Sequence, residues 1–455
     1  MNSSNEGRLP PCLHDIALRL TPSSKERLHV DKIAERVRRE AEEAARKLYG
    51  KKVVLVEYEG SYAKDTWLSG ELDLDLFVFF SEDFELKSFE EAIKKIAFRT
   101  AERLNAKLER RYAAHPYYTL ILDSLNVDLV PAYYVEDVEN IKTPVDRTRF
   151  HTLYVKKELS RKPYLKQDIR LLKKLLKLLW IYGAEIEVQG FSGYLTEILV
   201  IRHGGLLPLL EKAATWRPWK TAIPPSTKSE FKAPLIVLDP VDPQRNAAAA
   251  VSEESLAKFI ALSVLSSSAP ERLCCIYRSL GRIKESFEEK PRKLEFFIVS
   301  ISLKKNNASP QEIAGITQKH RVKIVRNAEK HGFQIARSKV FLCDNKSIIV
   351  FEVINPVLHP FSLHRGPPVY SPHSAEFISK WRGHPLMIRD SRWYTVIDTT
   401  PRYFMDVVEN TLNSDRRIKW ARLTLEELPA KCPKAYQWLT QGEKWAYCLV
   451  TQEKN

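Results

Sequence analysis

The stretch EGSYAKDTWLSGELDLDLFVFF, residues 59–80, decides the fold. It begins with a turn at Gly60-Ser61 and runs into a segment where Asp73 and Asp75 alternate with Leu72, Leu74 and Leu76 before an apolar run at residues 77–80. Residues two apart on a strand share a face and lie roughly 6–7 Å apart along the backbone, so both carboxylates can serve one cation. The alternation predicts a sheet strand buried on one side and functional at its start. A third carboxylate, Asp128, sits in a second strand-like run, NVDLVPAYY, between Val127 and Leu129.

Like charges buried together are costly unless cations neutralise them. Three carboxylates can hold two Mg²⁺ about 3.5–4 Å apart, a spacing that steadies the attacking and leaving oxygens of an in-line displacement. Taken singly, each piece is ordinary: an Asp-x-Asp pair is more often a solvated strand edge, and Asp128 alone reads as a strand-end acid. In this order, with Thr66 and Gly70 between turn and acids, the set is the sequence form of a metal-dependent nucleotidyl-transfer site.

Around that strand the chain reads as α+β. Residues 1–14 form a polar extension, and a charged amphipathic helix covers residues 31–49 and stops at Gly50. A second helix spans residues 166–182, its leucines on one arc and Lys166, Arg170, Lys173, Lys174 and Lys177 opposite. A solvated face is the common fate of such a pattern; its place directly after the acids points part of it toward phosphate. Ser192 caps a further helix that ends at Gly204-Gly205. A prolyl stretch then leads to the strand LIVLDP, and residues 270–291 read as a linker or loop. Beyond it LEFFIVSISL, a helix over residues 311–332, KVFLCD and SIIVFEVI make a small α+β unit. The aromatic, prolyl remainder from residue 356 shows no clear pattern, and the chain carries no internal repeat.

At 455 residues the chain is long enough for roughly three domains. Lys and Arg number 72 against 57 acids, a net charge of +15, which favours a polyanionic partner such as nucleic acid. An acidic membrane surface would ask for the same sign, but no apolar stretch of about 18 residues and no signal-peptide core is present. The expectation is therefore a soluble cytoplasmic protein. Six cysteines without a CxxC pair argue against a disulfide scaffold and a zinc site, and read as buried thiols.

These residues carry a resemblance to a known family. Together with EGSYAKDTWLSGELDLDLFVFF, the strings RYAAHPY, VDLVPAYYV, VDRTRFH, RLLKKLLK, IYGAE, GFSGYLTEILVI, DPVDPQRNAAAAVS and HRGPPVY resemble the archaeal-type (class I) tRNA CCA-adding enzymes, tRNA nucleotidyltransferases of the polymerase-beta superfamily. GFSGYL followed by DPVDPQRN is the most specific part. The resemblance implies a polymerase-beta-like head over residues 1–155, a helical neck over 156–278 and a tRNA-binding α+β body and tail over 279–455. It also implies template-independent building or repair of the 3′ CCA of tRNA from CTP and ATP, with two Mg²⁺. Oligomeric state is left open, a homodimer included.

Carried over by position, Asp73, Asp75 and Asp128 are the metal ligands, and Asp128 or a neighbouring carboxylate takes the proton of the tRNA 3′-hydroxyl. Ser61 and Lys64 contact the triphosphate, and Gly60 admits it close to the backbone. Thr148, His151, Lys173 and Tyr182 match further nucleotide contacts. Arg245 matches a base-reading arginine whose fork suits the ring-nitrogen acceptor that cytosine and adenine share; the bland alternative is an Asp242–Arg245 pair across a turn. HRGPPVY carries over only as part of the grip on the tRNA elbow.

The chain departs from the pattern at three points. Ala114 stands where an acid often precedes His-Pro, Glu59 where a second glycine is common, and Asp73 where glutamate also occurs. Two alternatives keep the triad: a poly(A) polymerase or other terminal nucleotidyltransferase, which has no use for DPVDPQRN, and a catalytically idle RNA-binding protein, which has no use for buried like charges.

Overall fold

The computed structural model describes residues 9–112, 116–122, 125–225, 231–279, 294–305, 308–343, 346–442 and 444–450; Ala114 lies outside them. The chain divides into two compact units, residues 1–286 with 441–455, and residues 287–440.

The first unit begins with helices α1 (Pro11–Leu20) and α2 (Ser24–Tyr49), then strand β1 (Val53–Glu59), a single helical turn α3 (Gly60–Ala63), β2 (Asp73–Phe80), α4 (Phe89–Leu104), β3 (Lys107–Tyr112), β4 (Pro116–Leu122) and β5 (Leu125–Tyr133). Residues 11–14 are thus helical, correcting the polar-extension expectation. The helix expected to start at residue 31 starts seven residues earlier, because the Ser23 hydroxyl accepts from the Glu26 N–H and caps it.

The five strands form one sheet in the order β1-β2-β5-β4-β3, with β2 and β5 parallel. Its two faces follow from the period of two. Leu74, Leu76, Val78 and Phe80 pack with the apolar sides of α2 and α4 in the main core of this sheet. The alternate residues Asp73, Asp75, Phe77 and Phe79 take the other face, where Phe77 and Phe79 close over Ala132 in a smaller cluster. The acids therefore start a strand whose far half is anchored in apolar packing on both sides.

Helices follow: α5 (Arg147–Arg161), α6 (Leu165–Leu178), α7 (Gly193–His203) and α8 (Leu206–Ala213), a two-stranded pair β6 (Thr221–Ile223) and β7 (Leu235–Val237), then α9 (Glu253–Ser266) and α10 (Leu273–Ser279). Ser192 caps α7 by accepting from Leu195 N, and Gly204 closes it in the left-handed region at φ 77°. Buried leucines of α6 and α7 are the centre of a second core that α1, α8, α9 and α10 complete. The described part of the expected linker, residues 270–279, is helical and belongs to that core.

The second unit holds β8 (Glu295–Leu303), α11 (Pro310–His331), β9 (Ile335–Cys343), β10 (Lys346–Val353), β11 (Phe361–Pro368), α12 (Ser374–Lys380), β12 (Leu386–Arg389), β13 (Arg392–Asp398), α13 (Phe404–Asn413), β14 (Ile418–Leu423), α14 (Leu428–Lys431) and most of α15 (Pro433–Gln441); α16 (Trp445–Val450) belongs to the first unit. An antiparallel sheet β14-β8-β10-β9 packs its apolar face against α11 and α13. The segment beyond residue 356, unreadable by pattern, forms a second sheet, β11-β13-β12, through HRGPPVY. Gly366 in that string sits against the Phe377 ring so closely that a Cβ would lie 2.7 Å from it.

The cysteines are not thiols. Cys12–Cys274, Cys275–Cys448 and Cys343–Cys432 are disulfides, with Cα separations of 6.1, 5.4 and 5.6 Å. The partners are 262, 173 and 89 residues apart, so no local spacing announced them. Among the described residues, no helix is long and apolar enough to cross a membrane.

Candidate active site

Parallel pairing of β2 with β5 sets Asp75 opposite Asp128 and Asp73 opposite Asn126, whose side-chain amide donates to Asp73 at 3.2 Å. Asp128 also receives the Thr119 hydroxyl at 2.5 Å from β4. Burial, then the charge of Asp128, pushes the Asp75 carboxyl up to about 7, against the pull of Lys64. Burial raises Asp128 as well. Three carboxylates thus crowd one end of two adjacent strands, two of them strained as anions. That donor set fits hard divalent cations, which take oxygen ligands and relieve this repulsion. Among the described residues no three acidic, His or Cys side chains already close on one point as a metal cage.

The Gly60-Ser61 turn lies directly over this pair. Gly60 has φ +67°, and a Cβ there would fall 2.0 Å from Asp75 Oδ2, so only glycine permits the approach. Ser61 follows Gly60 in the turn and is half-buried. Glu59, at the end of β1, is buried with Oε2 lacking a hydrogen-bond partner. Burial, together with Glu57 beside it, pushes its carboxyl up to about 8.

Lys64 and Lys173 meet over one buried carboxylate. Glu197, from α7, accepts from Lys64 Nζ at 2.6 Å and Thr66 Oγ1 at 2.6 Å, and from Lys173 Nζ at 3.0 Å. Lys173 also donates to the carbonyl and hydroxyl of Thr66, at 3.2 and 3.0 Å, so its three hydrogens all have protein acceptors. Burial alone would raise Glu197, but the two ammonium groups hold it at about 2. Lys173 is lowered to about 8 by burial despite Glu197.

The rest of the basic face of α6 is likewise occupied by acids. Lys166 and Arg170 pair with Asp65 at 2.8 and 2.7 Å, and Lys174 and Lys177 with Glu71 at 2.8 and 2.6 Å. In this structure the face docks the helical layer onto the loop between the Gly-Ser turn and the acids. It is not an open phosphate surface.

Thr148 and His151 lie one turn apart at the start of α5. Asp146 fixes that entry by accepting from the N–H groups of Tyr133, Lys142 and Thr143. His151 Nε2 is 2.9 Å from Asp239 Oδ2, and its ring stacks on Tyr194 at 3.7 Å between centroids. Burial keeps the imidazole below its usual range. Tyr182 bridges to Phe191, carries Lys177 over its ring, and stands against Gly193, where a Cβ would be 3.0 Å from its hydroxyl. Arg245 does not pair with Asp242 through its side chain. Its Nη1 donates to Asp239 at 2.8 Å, while Asp242 accepts from Arg147 Nε at 2.7 Å. Arg245, Arg147, Asp242 and Gln244 line a cavity of about 670 Å³.

Comparison with known proteins matches this layout in three pieces. Residues 38–151 match the family described as nucleotidyltransferase domain, residues 167–273 the tRNA nucleotidyltransferase second domain, and residues 296–420 the CCA-adding enzyme C-terminal domain. The CCA-adding enzyme of Pyrobaculum islandicum is 33% identical over 383 residues, covering 83% of this chain and 87% of the relative. The chain belongs to the CCA-adding enzymes. That of Methanoregula boonei is 34% identical over 410 residues, 88% of this chain and 85% of the relative. That of Sulfurisphaera tokodaii reaches 45% over 203 residues, 45% of this chain and 48% of the relative.

Within this member of the CCA-adding enzymes, the structure brings residues to the site that the sequence reading passed over. Glu197 is a lone acid in the otherwise apolar run LTEILVI, and a charge at a buried helix position demands a cation; that was its signal. Thr119 and Asp65 gave none, since their partners are set by strand order and by a loop residue at positive φ.

Proposed function

We propose that this chain adds or repairs the 3′-terminal CCA of tRNA from CTP and ATP without a nucleic-acid template. The observation that carries the proposal is the Gly60-Ser61 turn set against Asp75, itself opposite Asp128, with Asp73 on the same strand face. Asp73, Asp75 and Asp128 would hold two Mg²⁺, which polarise the α-phosphate and neutralise charge on the attacking and leaving oxygens.

The remaining work falls to protein groups. The turn at Gly60-Ser61 offers backbone and hydroxyl donors to the triphosphate, and Lys64 adds a positive charge beside it. Thr148, His151 and Tyr182 bind and orient the nucleotide. The tRNA 3′-hydroxyl attacks the α-phosphorus, a new P–O bond forms, and the bond to the β-phosphate oxygen breaks to release pyrophosphate. Asp128, raised by burial and steadied by Thr119, or a carboxylate beside it, takes the hydroxyl proton. Arg245 reads the Watson–Crick edge of the incoming base through a guanidinium that is about a third exposed. The +15 charge supports tRNA binding through phosphates, and a cytoplasmic location goes with this reading.

The test is incubation of the full chain with Mg²⁺ and tRNA ending before CCA, each NTP supplied separately. Incorporation of CTP on this tRNA, and of ATP only on tRNA ending in CC, is expected. Tailing by ATP alone would replace this reading with a poly(A) polymerase.

A further inference from the structure

Asp239 is a fully engaged carboxylate beside the nucleotide-binding residues His151 and Arg245. It follows β7, and its side chain is wholly buried. Oδ1 accepts from the Tyr194 hydroxyl at 2.8 Å and from the Val241 N–H at 3.0 Å. Oδ2 accepts from Arg245 Nη1 at 2.8 Å and pairs with His151 Nε2 at 2.9 Å. Four partners fill the acceptor sites a carboxylate offers. They come from α5, α7 and the DPVDPQRN loop, so one side chain locks three segments of the chain together.

The loop around it is stiff. Asp239 N donates to Arg245 O at 3.1 Å and Arg245 N to Asp242 O at 2.9 Å, while Asn246 ties the return to β7 by accepting from Val237 N and donating to Leu235 O. Pro240 and Pro243 fix two more backbone angles. Asp242 is engaged by Arg147, so the two acids of the loop divide two arginines and do not compete for one.

We infer that Asp239 is a specificity-determining positioning residue: by anchoring one end of the Arg245 guanidinium and orienting His151, it fixes the plane in which Arg245 meets the incoming base. This rests on the base-reading role of Arg245 proposed above. A guanidinium free to turn about its stem can find an acceptor atom on any base. One pinned at Nη1 presents its other edge in a single orientation, and only a base with an acceptor at the matching place completes the contact. Asp239 itself touches neither base nor phosphate in this account.

The experiment measures single-turnover incorporation of CTP, ATP, UTP and GTP on tRNA ending before CCA and before A, for wild type, Asp239→Asn, Arg245→Lys and the double variant. Asp239→Asn is expected to lower discrimination against UTP about tenfold, within the range for a good base contact. The double variant should discriminate no worse than Arg245→Lys alone, because both changes act through one guanidinium. A common slowing of all four nucleotides by Asp239→Asn, or additive losses in the double, would overturn the inference.

Normal discrimination in Asp239→Asn beside reduced discrimination in Arg245→Lys overturns the positioning role and leaves base reading standing. Normal discrimination in Arg245→Lys removes the base-reading role, and the inference with it. Should Asp239→Asn fail to fold, Tyr194→Phe removes one bond to Oδ1 with little change of shape. It is expected to lower discrimination in the same direction by about two- to threefold, and an unchanged ratio there overturns the inference.

Discussion

Asp75 and Asp128 face each other across the parallel ladder of β2 and β5, with Gly60 so close above Asp75 that a Cβ would come within 2.0 Å of its Oδ2. Two carboxylates in register and a turn pressed onto one of them leave little room for anything but oxygen ligands and phosphate. This relationship explains why burial and mutual repulsion raise Asp75 to about 7: the site is built for charge that arrives with the substrate.

Asp75→Asn should abolish nucleotidyl transfer while leaving tRNA binding within about twofold of wild type. It should also stabilise the metal-free protein by on the order of 1–3 kcal/mol, since one of two facing anions is gone. Denaturant melts with and without Mg²⁺ check both halves. Wild type should gain stability with Mg²⁺, and the variant much less. Equal Mg²⁺ gains in both proteins would contradict the ligand assignment.

Glu197→Gln is expected to be among the more destabilising single changes in the first unit, costing on the order of 3–5 kcal/mol, because it leaves two buried ammonium groups facing a neutral amide. Chemical denaturation measures it. A loss below about 1 kcal/mol would show that Lys64 and Lys173 find other partners.

The β2 acids were legible because strand periodicity and an apolar sequel fix both face and depth, and Asp128 because it repeats the pattern. The cap at Ser192 and the stop at Gly204 were legible for the same local reason. What could not be read is whatever depends on chain return. The basic face of α6 looked open because Asp65 and Glu71, its partners, lie about a hundred residues earlier in the chain. The bland alternative for Arg245 was a pair with Asp242 three residues away, and the loop instead folds back so that Asp239 takes its side chain. The six cysteines carried no spacing signal, since each pair is made by tertiary contact alone.

Glu59 supplies a pH signature. Its folded carboxyl sits near 8 against about 4.5 unfolded, so the folded state binds the proton more tightly. Its stabilising proton is fully present below pH 4.5 and is lost as pH rises toward 8. Glu59→Gln removes that dependence. The stability of the variant relative to wild type should therefore grow from near zero at pH 5 to on the order of 2–4 kcal/mol at pH 9. Denaturant titrations at pH 5, 7 and 9 test it; a gap that stays constant with pH would contradict the raised carboxyl.

Reduction should loosen the first unit. Cys274 and Cys275, adjacent on α10, tie down α1 through Cys12 and α16 through Cys448. Opening these two bridges is expected to cost on the order of 2–4 kcal/mol each and to lower the melting temperature. Thiol labelling under native conditions should find no reactive cysteine until a reductant is added. Six labels without reductant would contradict the pairing.

The most direct measurement is the sequence of the product formed when the full chain, Mg²⁺ and all four NTPs at equal concentration act on a tRNA ending before CCA. Addition of C, C and A in that order, followed by arrest, is the predicted result. A lengthening tail of A, a mixed tail drawn from all four nucleotides, or no extension at all would contradict the account.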